Sequence, residues 1–136
     1  MGDEMNVKEY REVSSRIAGR HKTPESALKD QVTALLVRLP GVDMIRMNTG
    51  QASYGGRKVR FGYPGMADIY CRIRCGTRCI PRWATLWIEL KAGSKQREAQ
   101  IAFEQKVLGW GDWYALVEDV GDCMKVVEGI RKEMGP

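Results

Sequence analysis

The stretch Ala84-Thr85-Leu86-Trp87-Ile88-Glu89-Leu90-Lys91 restricts the fold more than any other part of the chain. Successive side chains of an extended strand point to opposite faces. Ala84, Leu86, Ile88 and Leu90 therefore form one continuous apolar face, and Thr85, Trp87, Glu89 and Lys91 form the other. Glu89 and Lys91 then stand about 7 Å apart along the strand, at roughly 3.3 Å per residue. A carboxylate and an amine at the end of a core strand are costly to bury unpaired. Such a pair marks a site.

The chain carries its own control. Glu104-Gln105-Lys106 repeats the Glu-x-Lys pattern but falls in a helical stretch, where positions two apart diverge by about 200°. Only the strand pair can converge on one ion. Asp68 begins a second alternating stretch, with Ile69, Cys71, Ile73 and Cys75 on the buried face and Asp68, Tyr70, Arg72 and Arg74 on the other. Two neighbouring strands could bring Asp68 and Glu89 to one hard divalent cation, Mg²⁺ or Mn²⁺. Such an ion would lower the pKa of a bound water and neutralise charge on a scissile phosphate, with Lys91 orienting the water. On spacing alone, an ion pair between Lys91 and the two acids remains the alternative.

Charge names the expected partner. Of the 136 residues, 22 are Lys or Arg and 17 are Asp or Glu, a net charge of +5. The stretch 56–95 holds Arg57, Lys58, Arg60, Arg72, Arg74, Arg78, Arg82, Lys91 and Lys95 against Asp68 and Glu89 alone. A nucleic acid is the expected partner, with Arg57, Lys58, Arg60, Arg72, Arg74 and Lys95 as candidate phosphate contacts. No apolar run approaches the roughly 20 residues of a membrane span. The opening Met1-Gly2-Asp3-Glu4-Met5-Asn6 is acidic and polar, unlike a secretory signal. The expected location is cytoplasmic, with Cys71, Cys75, Cys79 and Cys123 as reduced thiols. Cys75-Gly76-Thr77-Arg78-Cys79 could be half of a zinc site, but a second paired motif is missing and His21 is the single histidine. Nothing calls for an organic cofactor.

The length suits one domain. A helix is expected over 6–18, followed by a basic linker to residue 22, and the domain proper over 23–136. Thr23-Pro24 starts a helix whose stripe is Leu28, Val32, Leu35, Leu36 and Leu39, ended by Pro40-Gly41. Glu25 projects from the stripe's side; a first-turn acid complementing the helix dipole is its plainer reading. A short strand over 44–48 leads to the Gly-rich turn 49–56 and the basic segment 57–61. That turn either approaches a phosphate backbone or is a solvated hairpin. After Lys91, Ser94 caps a helix over 95–108, with Gln96, Gln100, Phe103 and Val107 on one face. Residues 113–117 form a strand covered on both sides, and Gly121-Asp122 starts a final helix with Val126, Val127, Ile130 and Met134 as its stripe. The order of elements gives an α/β fold, a central mixed β-sheet flanked by helices.

Gly65-Met66-Ala67-Asp68, Trp87-Ile88-Glu89-Leu90-Lys91, Ser94-Lys95-Gln96 and Gln100 together resemble the PD-(D/E)xK nuclease superfamily. Within it, the chain is similar to the VRR-NUC branch of small stand-alone phage and bacterial proteins, also found as the catalytic domain of the Fanconi-associated nuclease. The resemblance runs over about 23–117 and includes Arg46-Met47-Asn48-Thr49-Gly50 and Phe61-Gly62-Tyr63-Pro64-Gly65. Ala67 stands where the family usually has proline; that proline shapes a turn and is no ligand. The resemblance implies a restriction-endonuclease-like core and a metal held by Asp68, Glu89 and the Leu90 carbonyl. It also implies Glu25 in support, Lys91 as the catalytic lysine and Gln100 reaching the site from its helix. A homodimer acting as an endonuclease on branched or four-way DNA, like a Holliday-junction resolvase, is implied as well. A nucleic-acid-binding protein without hydrolytic activity and a sequence-reading restriction-type nuclease are the alternatives.

Overall fold

The computed structural model describes residues 23–47 and 50–135. The helix expected over 6–18 and the linker after it lie outside the described residues. In chain order the elements are α1 (Pro24–Leu36), β1 (Val42–Arg46), β2 (Gly50–Tyr54), β3 (Arg57–Phe61), β4 (Ile69–Gly76) and β5 (Pro81–Leu90). They continue with α2 (Glu98–Gly109), β6 (Trp113–Val117) and α3 (Val120–Met134). The fold is α/β: a four-stranded mixed sheet in the order β1-β4-β5-β6, flanked by helices. β4 runs antiparallel to β1 and β5, and β5 runs parallel to β6.

Alternation in β4 and β5 sorts the two faces as the sequence does. Ile69, Cys71, Ile73, Cys75, Ala84, Leu86, Ile88 and Leu90 form one buried layer. Fully burying an aliphatic side chain of this size is worth about 1.5–3 kcal/mol, so this layer fixes the register. α1 covers it with Leu28, Val32, Leu35 and Leu36, and α3 adds Cys123, Val127 and Ile130. The cysteines inside are free thiols, and burial pushes Cys71 and Cys123 up to about 12. α2 covers part of the opposite face through Phe103 and Val107, which meet Ala67, Trp87 and Tyr114.

The helix starts have local causes. Thr23 accepts the Ser26 N–H with its hydroxyl, and Pro24 occupies the first turn, where no backbone donor is needed. Asp119 accepts the Asp122 N–H to cap α3.

Several expectations need correction. Gly50–Tyr54 is a strand, where a Gly-rich turn was expected; it pairs with β3 as a separate two-stranded sheet. The turn is only Gly55-Gly56, both with positive φ, the geometry a two-residue hairpin requires. Ser94 does not cap α2, which begins at Glu98; the cap is Arg97, whose N–H donates to Gln100 Oε1 at 2.8 Å. A side-chain acceptor inside the helix has replaced the expected one before it. β6 is covered on both sides, by α3 over Ala115 and Val117 and by α2 over Tyr114, except at Leu116, which is 40% exposed on this edge strand. α1 ends at Leu36, and Leu39 packs on the core from the turn that follows.

Candidate functional site

The β4–β5 register pairs Ile69 with Ile88, and one further step brings Asp68 level with Glu89. Asp68 is held there by backbone groups. Its Oδ2 accepts the Leu90 N–H at 2.8 Å, and its own carbonyl accepts the Met47 N–H at 2.8 Å. β5 lies between β4 and β6, and the Lys91 N–H donates to the Val117 carbonyl at 3.0 Å. The backbone on both sides of Glu89 is therefore fixed.

Glu89 and Lys91 are the two buried charged residues among those described, 2% and 3% exposed. Lys91 Nζ is 3.7 Å from Glu89 Oε1. Gln100 Nε2 donates to the same oxygen at 2.6 Å. Because Gln100 Oε1 is occupied by the Arg97 N–H, its amide nitrogen has to face Glu89. Glu89 Oε2 is buried with no hydrogen-bond partner. Burial first, then the charge of Asp68, pushes the Glu89 carboxyl up to about 8, against a smaller downward pull from Lys91.

The turn before Asp68 sets how near α2 comes. Gly65 has a φ of +77°, and a Cβ there would overlap the Ala99 carbonyl. Only glycine lets the turn touch the first turn of α2, and that contact brings Gln100 over Glu89. Tyr114 lies behind this layer and accepts from Gln96 Nε2 at 3.1 Å. Burial and the Glu89 charge push its hydroxyl well above the usual tyrosine range.

A cleft of about 230 Å³ opens over these groups, with Glu25, Asp68, Glu89, Lys91, Arg97 and Gln100 in its lining. A neighbouring hollow shares Glu25 and Asp68 and reaches Leu90. Comparison with protein-family models, curated proteins and solved structures finds no match to this chain.

The five residues expected at the site thus line one cleft. Glu25 differs in one respect: it is exposed, so it stands at the rim and does not point into the core as its helical spacing suggested. The candidate phosphate contacts are scattered. Arg57 and Lys58 are exposed on the hairpin, and the Arg60 side chain lies outside the described residues. Arg72 and Arg74 are exposed on β4, and Lys95 is exposed in the segment between β5 and α2. Arg97 and Gly65 were not singled out for the cleft. The Gln three residues after Arg97, in the place of a capping-box acceptor, was the available signal for the first.

The donor set suits a hard cation in part. Among the described residues no three His, Cys, Asp or Glu side chains converge as a metal cluster. Mg²⁺ and Mn²⁺ complete their shells with carbonyl and water oxygens, so two carboxylates are enough to begin one. The unpartnered Glu89 Oε2 beside Asp68 is the observation in favour, since a cation there would satisfy the oxygen and relieve the repulsion.

Proposed function

We propose that this cleft hydrolyses phosphodiester bonds in DNA with Mg²⁺ or Mn²⁺. We further propose that the chain is a VRR-NUC-type nuclease of the PD-(D/E)xK superfamily with a restriction-endonuclease-like core. The observation that carries the reading is Glu89 Oε2, buried, without a hydrogen-bond partner and level with the carboxylate of Asp68, the residue just before the next strand. A purely structural acid in this place would have both oxygens paired; here Lys91 and Gln100 both meet Oε1 and leave Oε2 open toward Asp68.

Asp68, Glu89 and the Leu90 carbonyl would hold the ion, with Glu25 at the rim in support. When bound, it supplies Lewis-acid polarisation of a phosphate oxygen and an acidified water. The chain's own residues do the rest. Gln100 keeps the Glu89 carboxylate in one rotamer, which lowers the cost of reorganisation when charge develops. Lys91, held 3.7 Å from Glu89, can orient the attacking water and donate to a phosphate oxygen. Arg97 extends the positive rim.

A homodimer, a branched or four-way DNA substrate and a cytoplasmic location belong to the same proposal. The plainer rival, a DNA-binding protein with a buried Lys91–Glu89 ion pair, predicts no metal-dependent chemistry. The deciding assay incubates purified protein with linear, flap and four-way DNA at several Mg²⁺ and Mn²⁺ concentrations, with EDTA and Glu89→Ala as controls. Cleavage that survives either control would sink the reading.

A further inference from the structure

We infer that the sheet face beyond Trp87 is a platform for an unpaired nucleic-acid strand, with one base stacked on Trp83. The inference deepens the nuclease reading by naming its substrate class, and it rests on that reading only for the link to cleavage.

α2 is 12 residues long and its cover stops at Trp87. The Phe103 ring lies 5.3 Å and the Trp110 ring 6.3 Å from Trp87. Past that point the same face of β4 and β5 presents Arg72, Arg74 and Trp83, all exposed. Arg74 is level with Trp83 in the register, and the Arg72 guanidinium sits 5.5 Å above the Trp83 ring. Trp83 is nevertheless 43% exposed, so much of the indole still faces solvent. Among the described residues no acid forms an ion pair with either arginine. Asp43 lies level with Arg72 on β1.

Three features select the occupant. Arg72 and Arg74 are one strand repeat apart, about 7 Å, and provide two successive cations for a phosphate backbone. With Arg72 over the ring, the exposed remainder of the indole can still stack a flat apolar partner, and in a duplex the base faces are already stacked inside the helix. An unpaired base offers that face, and stacking is tolerant of its identity. Finally, Asp68, Tyr70, Arg72 and Arg74 lie in one row along β4. A strand following that row for about 20 Å passes from Trp83 into the cleft at Asp68.

The test measures binding of a fluorescein-labelled oligothymidine and of a duplex of equal length, in EDTA, by anisotropy. Trp83→Ala should weaken single-strand binding about tenfold, within the range for one stacked base, and change duplex binding less than about twofold. Trp83→Phe should stay within about threefold of the parent on the single strand, because a smaller ring still stacks. Circular dichroism checks that the variants fold; should Trp83→Ala fail there, Arg72→Gln replaces it, with weaker single-strand binding and a shallower salt dependence expected. The platform is overturned by a parent protein that binds duplex but not the single strand. It is equally overturned by a Trp83→Ala that leaves single-strand binding intact or weakens both ligands alike. Light scattering showing that Trp83→Ala only dissociates a dimer assigns the face to a second copy and also overturns it. Trp83-dependent binding with no cleavage in Mg²⁺ or Mn²⁺ rejects the nuclease and leaves the platform. Cleavage with unaltered Trp83→Ala binding does the reverse.

Discussion

Asp68 Oδ2 accepts the Leu90 N–H at 2.8 Å, which fastens the residue before β4 to the last residue of β5. Glu89 lies one residue earlier and is fastened in turn by Gln100 at 2.6 Å. Both anchors are neutral donors. They hold two acids side by side without supplying a charge to either, and a cation bound between them would relieve the crowding that pushes the Glu89 carboxyl up.

The first consequence concerns pH. Glu89 is pushed up to about 8 by burial and by Asp68, whereas an unfolded glutamate titrates near about 4.3. Between those values the folded protein holds a proton that the unfolded chain has released. The folded state then binds more protons, so stability falls as pH rises through this window. In EDTA the melting temperature should drop by roughly 5 °C or more from pH 5 to pH 8. Glu89→Gln should remove most of that drop. A parent protein and variant with parallel pH profiles would contradict the assignment.

Metal should act in the opposite direction. At pH 8, Mg²⁺ or Mn²⁺ should raise the melting temperature with concentration, by about 2.7 kcal/mol of stability at a hundred times the dissociation constant. Asp68→Asn and Glu89→Gln should each lose the effect. Differential scanning calorimetry in chelator and in metal measures it directly.

Lys91 separates chemistry from binding. It is 3% exposed, so it adds little to DNA affinity at the surface. Lys91→Met keeps the aliphatic stem and removes the charge. Cleavage should fall about a hundredfold or more, while DNA affinity in EDTA stays within about twofold. Because Lys91 pulls the Glu89 carboxyl down, the same variant should steepen the loss of stability toward pH 8.

Gly65 tests how the helix is docked. Gly65→Ala combines a φ of +77° with overlap against the Ala99 carbonyl, and should cost about 2–4 kcal/mol. Gly55→Ala is the matched control: its φ is +55° but nothing lies within 4 Å, so only the about 1–2 kcal/mol of the left-handed conformation applies. Urea melts of the two variants compare them. Equal losses would show that the turn does not hold α2 in place.

The sequence made the sheet legible where burial is alternating. Ile69 to Cys75 and Ala84 to Leu90 carry a strict period of two, and the faces follow from it. The β2 strand hid because Gly50-Gln51-Ala52-Ser53-Tyr54 alternates only through small residues and one Tyr, with no aliphatic face; its signal was the Gly55-Gly56 pair that closes the hairpin. The two carboxylates could be read as neighbours from strand order. The role of Gln100 as both cap and clamp could not, because it depends on a turn thirty-five positions away in sequence, at Gly65, meeting α2 in space. Likewise, Trp83 was not singled out, because its exposure depends on where α2 stops covering the sheet.

The uncovered end of the sheet bears on the shape of molecule that could be cut. A pocket walled at both ends senses where a polymer terminates. Among the described residues, the row along β4 meets the first turn of α2 beside Asp68 and is exposed at its other end, at Arg74 and Trp83. A polymer could therefore be laid in from the side, with no free tip to thread. For a nuclease working here, a covalently closed circle would be as accessible as a linear fragment, and the first product would be an opened circle.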